Sequence, residues 1–256
     1  MNKIYWIAFI TIIRKEFVRF MRIWPQTLLP PAITSTLYFM IFGHLLGSQI
    51  GTIDGFSYIQ YIAPGLIMMQ IVTNAYTNVV FSFFSIRFQK SIEEMIIAPI
   101  PNAVILLGFI FAGMLRGLVV GVIITVITLF FTHLHIYNLF LILASAFLAA
   151  LLFSLAGFTN ALFAKKFDDV SIIPTFVLTP LTYLGGVFYS INLLPPFWRD
   201  LSMLNPILHM VNIFRYGILG ISDIPISVAI TILIVCSAAL FALNLRLLNK
   251  GVGIRT

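Results

Sequence analysis

The chain has 256 residues, of which 61% are hydrophobic and only 9% charged, with a formal net charge of +7. Soluble domains run at about 45–50% apolar and about 25% charged, so this balance excludes a water-soluble fold. The lone Cys236 sits in an apolar stretch, which excludes a disulfide framework and reads as a small buried hydrophobe.

No Asp, Glu, Lys or Arg occurs in 23–53, 55–86, 117–164, 170–198 or 224–245. A helix crossing a bilayer needs about 20 mostly apolar residues. Each run is long enough, and the third holds the end of one helix, a turn and a second helix. The class expected is therefore an all-α membrane protein in a single domain, 1–256, with six transmembrane helices.

In chain order, 1–24 reads as an amphipathic interfacial helix, apolar but broken by Arg14, Lys15, Glu16, Arg19 and Arg22, with basic side chains toward lipid headgroups. Those charges lie where a cleaved signal peptide would have its apolar core. Spans are expected at 27–46, 58–82, 104–131, 139–163, 171–189 and 227–248. Pro30 and Pro31 open the first, as a first helical turn permits. His133, His135, Tyr137 and Asn138 form a polar turn between the third and fourth.

With six spans both termini share one side, and twelve of the fifteen basic residues fall there, from Lys3 and Arg14 through Arg87, Lys90, Lys165 and Lys166 to Arg255. The positive-inside rule makes that side cytoplasmic. Topology thus accounts for the net charge, and no basic run interleaved with aromatics suggests a nucleic-acid partner. The segment 190–226 is external, long and still apolar. Such a composition predicts short re-entrant helices shielded by protein, one starting at Pro195–Pro196 and another after a break at Asn205–Pro206.

Residues 86–101, IRFQKSIEEMIIAPIP, concentrate charge between spans two and three. Ser91 to Glu94 has capping-box spacing, and Glu93 and Glu94 suit the positive end of a helix dipole. Ile92, Met95 and Ile96 share a helical face, while Pro99 disfavours helix at Ala98. A helix of one or two turns is expected, too short to stand alone. It packs either on its own membrane domain or into a cytoplasmic partner.

Several stretches together resemble the ABC-2-type permeases, the membrane subunits of bacterial ABC exporters. They are the N-terminal amphipathic helix, YIAPGLI at 61–67, RFQKSIEEMIIAPIP at 87–101, LGGVFYS at 184–190 and LPPFWRDLSMLNPILHMVNIFR at 194–215. The resemblance implies a homodimer in the bacterial inner membrane, with both termini cytoplasmic, bound to two copies of a separate ATPase subunit that holds ATP and Mg. It implies that 86–101 is an ATPase-coupling helix, carried by Arg87, Lys90, Ser91, Glu93, Glu94, Met95 and Ile96. It also implies an outer gate at Gly185, Gly186, Tyr189, Asn205, Pro206 and Arg215. Two positions depart from the family pattern: Gly185 stands for its usual Ser and Ser190 for its usual Pro. No G-x-x-x-x-G-K-[ST] occurs, so this chain has no P-loop of its own and any ATP hydrolysis falls to another chain.

Arg116 falls within the third span, where an arginine costs about 2.5–3.5 kcal/mol on insertion scales. Gly113, Gly117 and Gly121 around it make a small-xxx-small face. Arg116 is expected either to cap a cavity in the packing or to serve transport. Tyr76, Phe84, Phe176, Tyr183 and Phe188 complete the candidate path for an amphipathic or lipid-linked substrate, with a polysaccharide or lipo-oligosaccharide as the alternative. His44, His133, His135 and His209 lack the neighbours a metal site needs. A self-sufficient carrier or channel would require repeats and polar midplane sites that the sequence does not display.

Overall fold

The structure is a computed structural model that describes residues 2–45 and 47–253; at positions 2, 44, 48, 93, 94 and 96 it describes the backbone alone. Helix α1 (Asn2–Arg22) buries Ile12 and Phe20 and leaves Trp6, Ile7 and Ile10 exposed. A short α2 (Trp24–Thr27) bends the chain, and Thr27 Oγ1 donates to Phe20 O at 3.1 Å to hold the bend. Helix α3 (Leu29–Tyr38) opens on Pro30 and Pro31 and runs into a π-helical turn, Phe39–Leu45. After α4 (Gly47–Ile50), strands β1 (Thr52–Ile53) and β2 (Phe56–Ser57) pair antiparallel, a hairpin where a plain loop was expected. Its two-residue turn, Asp54–Gly55, has φ of 49° and 83°, the left-handed geometry that favours Asp-Gly.

Helix α5 (Tyr58–Phe88) is the centre of the bundle. The Ser57 N–H donates to Gln60 Oε1 at 3.1 Å and caps its start. It is buried on most of its faces and apolar apart from one polar row, as a helix enclosed by others can be. It extends six residues beyond the expected 58–82, because the charge that marked an end in the sequence, Arg87, is accommodated by a neighbouring helix.

Helices α6 (Ile92–Ile97), α7 (Asn102–Phe131) and α8 (Leu139–Phe163) follow. The glycine stripe of α7 lies on α5. A Cβ at Gly117 would stand 2.9 Å from Ile71 O, and one at Gly121 2.6 Å from Ile71 Cγ1. Gly157 of α8 likewise admits the carbonyl of Tyr76, 2.6 Å from where a Cβ would be. Glycines thus let α7 and α8 approach the α5 backbone, the close contact that small residues allow.

Helix α9 (Phe167–Ile173), a π-helical turn (Pro174–Leu178) and α10 (Thr179–Tyr183) form one interrupted rod, followed by non-helical chain where the expected span continued to 189. Prolines at 174 and 180 remove backbone donors, which is why the hydrogen-bond ladder shifts here. Helix α11 (Pro196–Met203) and the well-buried α12 (Pro206–Leu219) precede α13 (Ile226–Asn249). Among the described residues, α5, α7, α8 and α13 are long and apolar enough to cross a membrane.

Candidate functional site

At the Phe88 end of α5, Arg87 Nη1 donates to the carbonyls of Ala161 and Leu162, the latter at 2.9 Å. These are free carbonyls at the C-terminal end of α8, where a cation is favoured. Arg87 therefore clamps two helix ends together. Lys90 then takes the left-handed conformation, φ 58°, to turn the chain into α6. Ser91 occupies the N-cap with helical angles, φ −66° and ψ −11°, and makes no side-chain cap bond. The expected Ser91 half of the capping box is absent, because that bond needs an extended backbone at the cap. The side chains of Glu93, Glu94 and Ile96 lie outside the described residues. Ile92 is buried and Met95 packs on the core, while Ile97 is 85% exposed. Among the described side chains of α6 the free apolar group is Ile97, which the i, i+3, i+4 pattern passed over. Helix α6 ends there because Ala98, ahead of Pro99, is extended at φ −66° and ψ 142°.

Farther along α5, Gln70, Asn74, Asn78 and Ser82 recur every fourth residue and are all buried. They form a polar ladder on one face of an otherwise apolar helix. Glu16, only 1% exposed, accepts from Ser82 Oγ and from Arg19, whose Nη2 lies 2.8 Å from Glu16 Oε2. Arg19 Nη2 also donates to Asn78 Oδ1 at 3.1 Å. So α1 turns a carboxylate and a guanidinium inward onto α5 rather than presenting every charge to headgroups. One step up, Arg116 Nη2 donates to Asn74 Oδ1 at 3.3 Å. Asn74 Nδ2 in turn donates to Gln70 O at 3.0 Å. The four-residue repeat was readable in the sequence, but its role appeared only once α1 and α7 were seen to lean on it.

At the Tyr58 end stands Arg215, 1% exposed. Its Nη2 donates to Gly186 O at 2.6 Å, and its guanidinium lies 4.1 Å from the centre of the Tyr61 ring. Gly186 needs its positive φ, 67°, to offer that carbonyl. Burial pulls the Arg215 pKa down, with Tyr61, Asp223 and Asp54 opposing. Asn205 caps α12 through Oδ1, which accepts from Ile207 N at 3.0 Å, and its Nδ2 donates to Leu181 O at 2.6 Å. Pro206 fills the first turn. Gly185 packs on Ile207, and Tyr189 is half-buried nearby. Ser190 Oγ donates to Asp223 Oδ1 at 2.7 Å, a bond the usual proline could not make. Arg215, Tyr61, Asp54 and Asp223 line a cavity of about 650 Å³.

The aromatic candidates separate. Tyr76 and Phe84 are buried inside the helix bundle, Phe84 edge-on to Phe167 with ring centres 4.9 Å apart. Phe176 is 73% exposed. Tyr183 and Phe188 join Tyr38 and Phe42 in one cluster, with the Tyr38 and Tyr183 hydroxyls 3.5 Å apart. That cluster couples the π-helical turn after α3 to the end of α10. His209 Nε2 pairs with Met203 O at 2.9 Å. Among the described residues no three His, Cys, Asp or Glu gather as metal ligands.

The match to the ABC-2 type transporter family covers residues 7–219. The chain belongs to the ABC-2 type transporter family. Membership makes it a permease, the membrane subunit of an ABC transporter, and implies a partner ATP-binding subunit. This ABC-2 chain is 54% identical to the inner membrane transport permease YadH of Escherichia coli (strain K12) over 256 residues, covering all of both chains. It is 24% identical to Nodulation protein J of Rhizobium meliloti (strain 1021), over 96% of this chain and 93% of that one. Nodulation protein J of Neorhizobium galegae is 22% identical over 84% of this chain and 81% of that one.

Proposed function

We propose that this ABC-2 permease is the path-forming half of an ATP-driven exporter in the bacterial inner membrane, moving an amphipathic or lipid-linked substrate. The interrupted rods 29–45 and 167–183 act as spans one and five beside α5, α7, α8 and α13, giving six spans with both termini cytoplasmic. The basic bias then falls at the Phe88 end of α5, and Arg215 and the aromatic cluster at the outer end. Two copies pair, and each takes one ATPase subunit, which supplies the bound ATP and Mg. The 190–226 segment forms the outer gate, with α11 and α12 dipping back against the membrane.

The observation that carries this reading is the build of α6. It follows directly on the longest helix described, is pinned to the core through Ile92, and leaves Ile97 available to a docked subunit. A rigid short helix on the end of α5 transmits a push from a partner to the helix that contacts most of the bundle.

The test is reconstitution in liposomes with and without the ATPase subunit. Transport should require both chains and ATP. The charge-reversing pair Glu93→Lys and Glu94→Lys should abolish ATP-driven transport and weaken subunit association while membrane insertion is unchanged. Full transport by the permease alone without ATP, or undiminished association of the double variant, overturns the proposal.

A further inference from the structure

We infer that the cavity around Arg116 binds a phosphate-class anion, carried as the headgroup of a lipid or supplied free. The cavity, of about 340 Å³, is lined by Arg116 of α7, by Gln70, Thr73, Asn74 and Thr77 of α5, and by Thr34 at the exposed rim of α3. Thr77 Oγ1 already donates to Thr73 O at 2.6 Å and Asn74 Nδ2 to Gln70 O at 3.0 Å, which leaves Arg116, the Gln70 amide and the Thr73 and Thr34 hydroxyls as donors for a ligand, and none of the residues lining the cavity is acidic.

The charge balance points to an anion. The only ion pair among the described residues is Arg19 with Glu16. Arg116 has instead one long bond, 3.3 Å, to a neutral amide, and its Nε is buried without a hydrogen-bond partner. A guanidinium held within a membrane span is costly unless paired. Its planar fork matches two phosphate oxygens, and hydroxyl and amide donors stand beside it for the third. The cavity is at the small end for ligand sites, enough for a headgroup and too small for acyl chains. Beside the rim, Ile33 and Leu37 of α3 lie one turn apart, 57% and 50% exposed, an apolar track on which chains can lie. That track favours a lipid source.

This inference deepens the export reading by naming the charge of the substrate, and rests on that reading for the step that follows binding. Calorimetric titration of the full chain in zwitterionic detergent tests binding alone. The probes are dihexanoyl phosphatidic acid, dihexanoyl phosphatidylcholine and inorganic phosphate. Phosphatidic acid should bind at least about tenfold tighter than phosphatidylcholine, the scale of one charge-assisted contact. Arg116→Gln should erase that preference and Arg116→Lys should retain part of it. Thr34→Trp, which closes the rim with Arg116 intact, should erase it too, and decides the matter should Arg116→Gln fail to fold. Inorganic phosphate binding as tightly as phosphatidic acid would assign the site to a free anion. Equal affinity for the two lipids in the wild type, or a preference surviving Arg116→Gln or Thr34→Trp, overturns the site. An absent preference with ATP-driven transport intact removes the site and leaves the export reading standing; the opposite pair of results does the reverse.

Discussion

Two arginines, Arg215 of α12 and Arg116 of α7, each lean on α5, yet the fold treats them in opposite ways. Arg215 has the fuller set of partners: a carbonyl at 2.6 Å, a second at 3.4 Å from Tyr61, and an aromatic face at 4.1 Å, with Nη1 alone left without a hydrogen bond. Its charge is neutralised by dipoles, so it fixes the turn at Gly186 to the start of α5. Arg116 has one neutral partner and a cavity in front of it. A buried charge held by two carbonyls and a ring, in a cavity that also holds Asp54 and Asp223, works as a structural rivet. One with a single neutral partner, in a cavity lined by no carboxylate, is where an anion gains most.

The comparison breaks if both arginines prove equally structural. Arg215→Met should cost about 3 kcal/mol, since it removes charge-assisted bonds and the ring contact together. Arg116→Met should stay within about 1 kcal/mol of wild type. Thermal inactivation of the purified protein in detergent reads both, and equal losses would end the distinction. A smaller loss sharpens the role of α5 as the common anchor. Gly117→Val places a side chain against Ile71 O and Ala75, and should cost about 2 kcal/mol by overpacking, read in the same assay. The smallest effect concerns a charge in the first turn of α9. Asp169 accepts from Lys165 N at 2.8 Å and Lys166 N at 3.0 Å, and these bonds hold its carboxyl below the ordinary 3.8. With the folded value lowered, its contribution is complete above 3.8 and fades as pH falls through the folded value. Amide exchange at Lys165 and Lys166 should therefore speed up in acid, and Asp169→Ala should remove that pH dependence.

By itself the sequence determined the membrane class, the bounds of α8 to the residue, and the pair of short helices opened by Pro196 and Pro206. These follow from hydrophobic length and from proline, which act locally. The glycine stripe was also legible, because its four-residue period is a property of one helix. Only the tertiary structure decided that Arg87 clamps α8, that Glu16 turns inward to Ser82, and that Tyr76 and Phe84 sit in the core while Phe176 stands outside. A charge or a ring has no preferred neighbour until another helix brings one within reach. Partnership across 66 or 74 residues of chain is set by packing, not by periodicity.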